Sequence, residues 1–115
     1  MRTFGGFAAN RDALLAEDIR RSVAGLGATP ISELRPRAPA FIAGRVVSVT
    51  YQPRGAKPAF TARINDGTAT VGLVFLGRTE VPGIEPGRML TAEGTVGLEE
   101  GLPIIYNPRY RLLAA

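Results

Sequence analysis

A chain of 115 residues with 45% hydrophobic side chains suffices for one packed core and an accessory helix, and is too short for two cores. It contains no cysteine and no histidine, which excludes disulfides, thiolate nucleophiles, Cys/His zinc sites and imidazole bases. The net charge of +4 rests on thirteen arginines and a single lysine, Lys57, an excess that permits polyanion binding without demanding it. Arginine suits phosphate recognition and base stacking, although a GC-rich genome accounts for the same ratio. No apolar run approaches the roughly 20 residues of a membrane span. The N-terminus lacks the apolar stretch of a secretory signal, so the cytoplasm is the expected compartment.

From Arg11 to Leu26 the residues Leu15, Ile19 and Val23 recur every fourth position, with Leu14 and Leu26 alongside. This predicts a helix, with Asn10 as its N-cap and Gly25 and Gly27 as its stop. Arg11, Glu17, Asp18, Arg20 and Arg21 occupy the opposite, solvated face. Residues 1–9, with Gly5 and Gly6, are expected to fray. Residues 28–40 form a connector, since Pro30, Pro36 and Pro39 forbid a continuous helix or a central strand. Ile31 and Leu34 can pin a short turn against the core, and Arg35-Pro36-Arg37 reads as a stiff, extended segment.

Beyond Ala40 the pattern becomes β. Phe41 to Tyr51 is a strand in which Gly44 suggests a bulge or bend. Gln52 to Pro58 reads as a loop. Phe60, Ala62 and Ile64 alternate with Thr61, Arg63 and Asn65, giving a half-buried second strand. Asp66-Gly67 is a tight turn, and Thr70 to Leu76 is the third strand. Gly77 to Gly87 is too punctuated by Pro82, Gly83 and Pro86 for a long helix. Met89 to Leu98 makes a fourth strand with Leu90, Ala92, Gly94 and Val96 on one side. After a Glu99-Glu100-Gly101 hairpin turn, Leu102 to Leu112 makes a fifth, interrupted by Pro108. The sequence shows no internal repeat and no low-complexity tract.

The expected fold is mainly β: a five-stranded OB-fold Greek-key barrel with an N-terminal α-helix. Closure removes the exposed edges of so small a sheet. A bent first strand can then pair at its two ends with different neighbours. The division is residues 1–37 as helix and connector and 38–115 as barrel.

From about Ala40 to Leu112 the chain resembles the OB-fold nucleic-acid-binding family, which includes tRNA-anticodon-binding and helicase wedge domains. Gly44-Arg45-Val46, Asp66-Gly67-Thr68-Ala69 and Gly87-Arg-Met-Leu-Thr-Ala-Glu-Gly-Thr-Val96 carry the resemblance. The ending Tyr106-Asn-Pro-Arg-Tyr110 is similar to that of small actinobacterial OB-fold proteins. Two features depart from the family. Ala69 stands where its turn often has a second glycine, and the usual helix between strands three and four is reduced to the loop around Val81 to Pro86. The N-terminal helix, through Leu15, Ile19 and Val23, is the candidate to plug the barrel instead.

OB barrels bind ligands on the strand two–three face and with the loops joining strands one–two and four–five. The resemblance therefore implies a nucleic-acid site containing Tyr51 as stacking platform and Arg54, Lys57, Arg63 and Arg78 as phosphate contacts, with Arg109 in a second cluster. Glu99 and Glu100 would repel phosphate and skew the footprint away from the four–five loop. Tyr106 and Tyr110 share a face in an unbroken strand, but Pro108 can shift the phase, and Tyr110 is read as a core-rim residue. No catalytic, metal or cofactor site is expected. Asp66 is a turn residue chosen for backbone reasons, the side chains of Glu99 and Glu100 diverge, and no glycine-rich phosphate loop opens a helix. The chain reads as a non-enzymatic binder of single-stranded DNA or RNA. The alternative is a protein–protein interaction module accessory to a nucleic-acid-processing enzyme. A homodimer is a further possibility, and no membrane partner is expected.

Overall fold

The computed structural model describes residues 3–114, with side chains for residue 11 and residues 13–114. Helix α1 spans Thr3–Val23 and a 3-10 turn spans Ile31–Glu33. The strands are β1 (Pro39–Tyr51), β2 (Ala59–Asn65), β3 (Thr70–Leu76), β4 (Met89–Glu99), β5 (Leu102–Tyr106) and β6 (Arg109–Leu112). Alternation decides what faces in: Phe60, Ala62 and Ile64 of β2, Val71, Leu73 and Phe75 of β3, and Leu90, Ala92 and Val96 of β4 all enter one core.

The first strand serves two neighbours. Pro39–Arg45 pairs antiparallel with β4 and Arg45–Tyr51 with β2, so Arg45 stands opposite both Met89 and Asn65. With β2–β3 and β4–β5 antiparallel and β3–β5 parallel, the ring β1-β2-β3-β5-β4 closes. This is the Greek-key barrel of the OB-fold. Gly44 sits at the crossing, where an added Cβ would lie 2.6 Å from the Asn65 carbonyl oxygen. The change of register itself falls later, between Val46 and Ser48, leaving Val47 as the bulged residue. Gly44 thus permits the close approach of β2, while the bulge expected at Gly44 lies at Val47.

The expected fifth strand is two pieces along one edge of β4. Val96 pairs with Ile105, but Glu93 pairs with Arg109. Three steps along β4 (96 to 93) therefore match four along its partner (105 to 109). Asn107, at a left-handed φ of 49°, belongs to that kink beside Pro108. The extra residue reverses the phase. Tyr110 turns inward, edge-on to Phe75 at 5.7 Å between centroids, and its hydroxyl donates to the Pro82 carbonyl at 3.1 Å. Tyr106 stays outside.

Ile31 and Leu34 from the connector, and Val81 and Ile84 from the segment leaving β3, pack into the barrel core. These residues fill the place expected for the helix. In α1, Ile19 is 7% exposed, but Leu14 and Leu15 are 67% and 50% exposed, and none of the three joins the main core. The helix does not plug the barrel, because shorter segments adjoining the strands supply the apolar side chains. It packs on β1 and rests against the β2–β3 turn. There the Arg20 guanidinium donates to the Gly67 carbonyl at 2.7 Å. Gly67 has φ 92°, and a Cβ there would lie 2.5 Å from the Ala16 carbonyl oxygen, so the helix can approach only a glycine. The Asp18–Arg21 pair lies on the solvated face, as the charge pattern predicts, whereas Arg20, expected on that face too, lies against Gly67 and pairs with Glu17 from beside the β2–β3 turn.

Two local expectations differ. The helix starts at Thr3 rather than after an Asn10 cap. Propagation adds a hydrogen bond per residue, and glycines at 5 and 6 cost about 1 kcal/mol each against alanine without forbidding the helix. Of the segment expected to fray, Met1 and Arg2 lie outside the described residues. Arg35-Pro36-Arg37 is a turn, not an extended stretch: Arg37 has φ 67° and its N–H donates to the Val96 carbonyl at 2.7 Å.

Asp66 does the backbone work its turn position implies, and more. Its buried carboxylate accepts from the Thr68 N–H at 2.9 Å, the Thr68 hydroxyl at 2.6 Å and the Ile31 N–H at 2.8 Å. The β2–β3 turn is thereby tied to the connector.

Candidate functional site

The outward phase of β2 and β3 lies between two hairpin tips. The β1–β2 connection is an extension of its hairpin rather than a loose loop. The Arg54 N–H donates to the Lys57 carbonyl at 2.8 Å and the Lys57 N–H to the Arg54 carbonyl at 3.1 Å, with Gly55 at φ 62°. The β4–β5 tip has φ 51° at Glu100 and 82° at Gly101, the two left-handed residues of a type I′ turn. Between the tips runs an open groove of about 720 Å³, walled by Thr50, Gln52, Thr61 and Arg63 on one side and Glu99 and Glu100 on the other.

The groove floor follows from one small residue. Gly72 of β3 lies opposite Ile104 of β5, and a Cβ at Gly72 would meet the Ile104 Cδ1 at 2.6 Å. The missing side chain lets Ile104 lie across β3. Ile104 packs there with Ala59, Val74 and Leu102 in a second, outer apolar cluster. Ile104 itself is nearly enclosed, and half-buried Leu102 carries the cluster's apolar surface into the groove. Apolar surface beside polar walls suits flat rings and phosphate oxygens.

One ion pair bridges the groove mouth. Arg54 donates to both carboxylate oxygens of Glu99, at 2.5 and 3.0 Å, across 45 residues of sequence. The Tyr106 hydroxyl donates to the same carboxylate. The Arg54 hydrogen bonds, and then that of Tyr106, hold the Glu99 carboxyl below its ordinary range. The Glu99 bond in turn pushes the Tyr106 phenol up. Glu99 is therefore a paired anion here, not the free repelling charge its sequence position suggests. Glu100 also lines the groove but is more exposed and, among the described residues, has no ion-pair partner.

The structure brings some of the six expected site residues together and separates others. Arg54 and Arg63 line the groove. Lys57 sits at the tip of the β1–β2 hairpin, exposed. Arg63 and Lys57 make no ion pair among the described residues. Tyr51 is 52% exposed but stands opposite Phe60, in the core-facing phase beyond the barrel rim, and does not line the groove. Arg78 lies exposed just after β3. Arg109 is on β6, on a different surface near Phe41 and Arg111, with a loose 3.5 Å contact to Glu93. Sequence reasoning did not single out Thr50, Thr61, Gly72 and Ile104. The signal for Thr61 was present, since it shares the outward phase with Arg63. The Tyr106–Glu99–Arg54 chain had no sequence signal, because it joins residues from two distant hairpins.

Among the described residues no group of three or more acidic side chains could hold a metal ion, and no helix is long and apolar enough to cross a membrane.

No protein-family model and no curated protein matches the sequence. Solved structures do match in shape. A domain of replication protein A from Methanococcus maripaludis superposes with a TM-score of 0.62 at 17% identity, over 74% of this chain and 93% of that one. A replication factor A related protein from Methanobacterium thermoautotrophicum gives 0.60 at 16% identity, over 75% and 90%. RecG, in a structure bound to a three-way DNA junction, gives 0.62 at 22% identity over 72% of this chain and 12% of its own. At such identities the likeness establishes the OB-fold.

Proposed function

We propose that this chain binds single-stranded DNA or RNA in the groove between its two hairpin tips and performs no chemistry on it. The observation that carries the reading is the groove itself: half-buried Leu102 over Ile104 and Gly72 on its floor, with Arg54 and Arg63 on the wall, on the face where OB barrels bind ligands. The structural neighbours from replication proteins and a DNA-bound RecG support it at the level of fold. In this reading Arg63, Arg54 and Lys57 track phosphates and bases lie on the floor. Residues 38–115 are the binding domain and residues 1–37 an appendage, in a cytoplasmic protein. Tyr51, Arg78 and Arg109 would touch only a strand that leaves the groove. The finer likeness to tRNA-anticodon-binding and actinobacterial proteins adds nothing to the choice between DNA and RNA.

The test is a fluorescence-anisotropy titration with short labelled single strands at two salt concentrations. Binding should weaken as salt rises, because phosphate contacts release counterions. Arg63→Gln should weaken binding to all sequences alike and reduce the salt slope by about 0.7. No binding at low salt, or a neutral Arg63→Gln beside a damaging Arg109→Gln, would remove the groove as the site. The exposed Leu14 and Leu15 of α1 favour the second reading, a protein-interaction module or homodimer contact.

A further inference from the structure

We infer that Glu99 is an internal stand-in for phosphate, occupying Arg54 until a nucleic-acid strand displaces it. The inference rests on the groove reading above and adds how that site is kept closed. The geometry is that of recognition: two guanidinium nitrogens of Arg54 meet two oxygens of one anion, at 2.5 and 3.0 Å. A phosphodiester presents the same paired oxygens to the same fork. Both side chains keep roughly a third of their surface in solvent, 38% for Arg54 and 34% for Glu99, so an incoming strand can reach the guanidinium. Glu99 has somewhere to go, because it lies at the end of β4 beside a two-residue tip that leaves the carboxylate next to solvent. Tyr106, anchored on β5, holds the anion in place through its hydroxyl.

The consequence is a signature in salt. Counterion release follows the net charge brought to the strand. The Arg54–Glu99 pair brings none, so in the natural protein the pair as a unit adds almost nothing to the salt slope, while unpaired Arg63 and Lys57 add their share. Exchange of one ion pair for another also keeps the affinity low, and prevents weakly held anions from occupying the groove.

The experiment compares the full chain with Glu99→Gln, using labelled mixed-sequence single strands of about ten nucleotides, within the usual footprint of one OB barrel. Glutamine keeps the shape and removes the charge. The variant should bind roughly two- to fivefold more tightly, the range for removing an exposed pair's competition, with a salt slope steeper by about 0.7. Arg54→Gln should weaken binding in the natural protein, because it leaves Glu99 as an unpaired anion at the groove, and should reverse the gain when added to Glu99→Gln. Tyr106→Phe keeps the ring and drops only the hydroxyl. It should tighten binding by a smaller factor, and it carries the test should Glu99→Gln fail to fold. If Glu99→Gln weakens binding or leaves both affinity and slope unchanged while Arg63→Gln still weakens it, Glu99 is a brace for Arg54 and the inference fails alone. If no protein binds at low salt, the groove reading fails and takes the inference with it.

Discussion

The barrel strands and helix α1 carry equally regular apolar patterns, yet only one of them is buried along its length. Strand residues at the inward phase are almost fully enclosed, Leu73 and Ile105 among them. Of the helical stripe at Leu15, Ile19 and Val23, Ile19 alone is buried and Leu15 is half exposed. Periodicity reports that a face is apolar; it does not report what covers it. In the barrel the covering is guaranteed, because a closed sheet encloses its own inner phase. The helix would need the barrel's open ends, and Ile31, Val81 and Ile84 already occupy them.

The largest expected effect tests the enclosed side. Leu73→Ala leaves a void that a closed barrel cannot collapse around, and should cost about 2–5 kcal/mol in denaturant unfolding. A loss under about 1 kcal/mol would mean that the barrel wall relaxes and the contrast with the helix is weaker than drawn.

A smaller effect is expected at the junction between the two regions. Asp66→Ala removes the acceptor for the Ile31 and Thr68 amides, and should cost roughly 2–3 kcal/mol because buried donors lose their partner. Amide exchange at Ile31 should accelerate together with that loss. Protection at Ile31 equal to that of the natural protein would show the connector to be held by packing alone.

Least is expected from the helix. Leu15→Ala should shift stability by less than about 0.5 kcal/mol, the usual range for an exposed site. A cost several times larger, especially one that grows with protein concentration, would show that the stripe is covered in solution by another copy of the chain.

The same contrast runs through the candidate site. Arg63 could be placed on the outward phase from the Phe60, Ala62, Ile64 alternation alone, since strand period and face are locally coupled. Tyr51 could not. Its phase depends on the bulge at Val47, which slips β1 by one residue against β2 and sets Tyr51 opposite Phe60. Arg54 was recognisable as a loop cation, but not as a paired one. The identity of its partner is a matter of which hairpin tips meet across the barrel.

Local chemistry in the sequence thus determined the strands, the turns at Asp66-Gly67 and Glu100-Gly101, the break at Pro108, and the closed barrel that such short strands require. Period-2 alternation, turn residues and proline act within a few positions of themselves. Only the tertiary structure decided which segments seal the barrel, which face Tyr51 and Tyr110 take, and that Arg54 is bound to Glu99. Each of these depends on a one-residue slip in register or on a contact between residues tens of positions apart, and neither leaves a periodic trace in the chain.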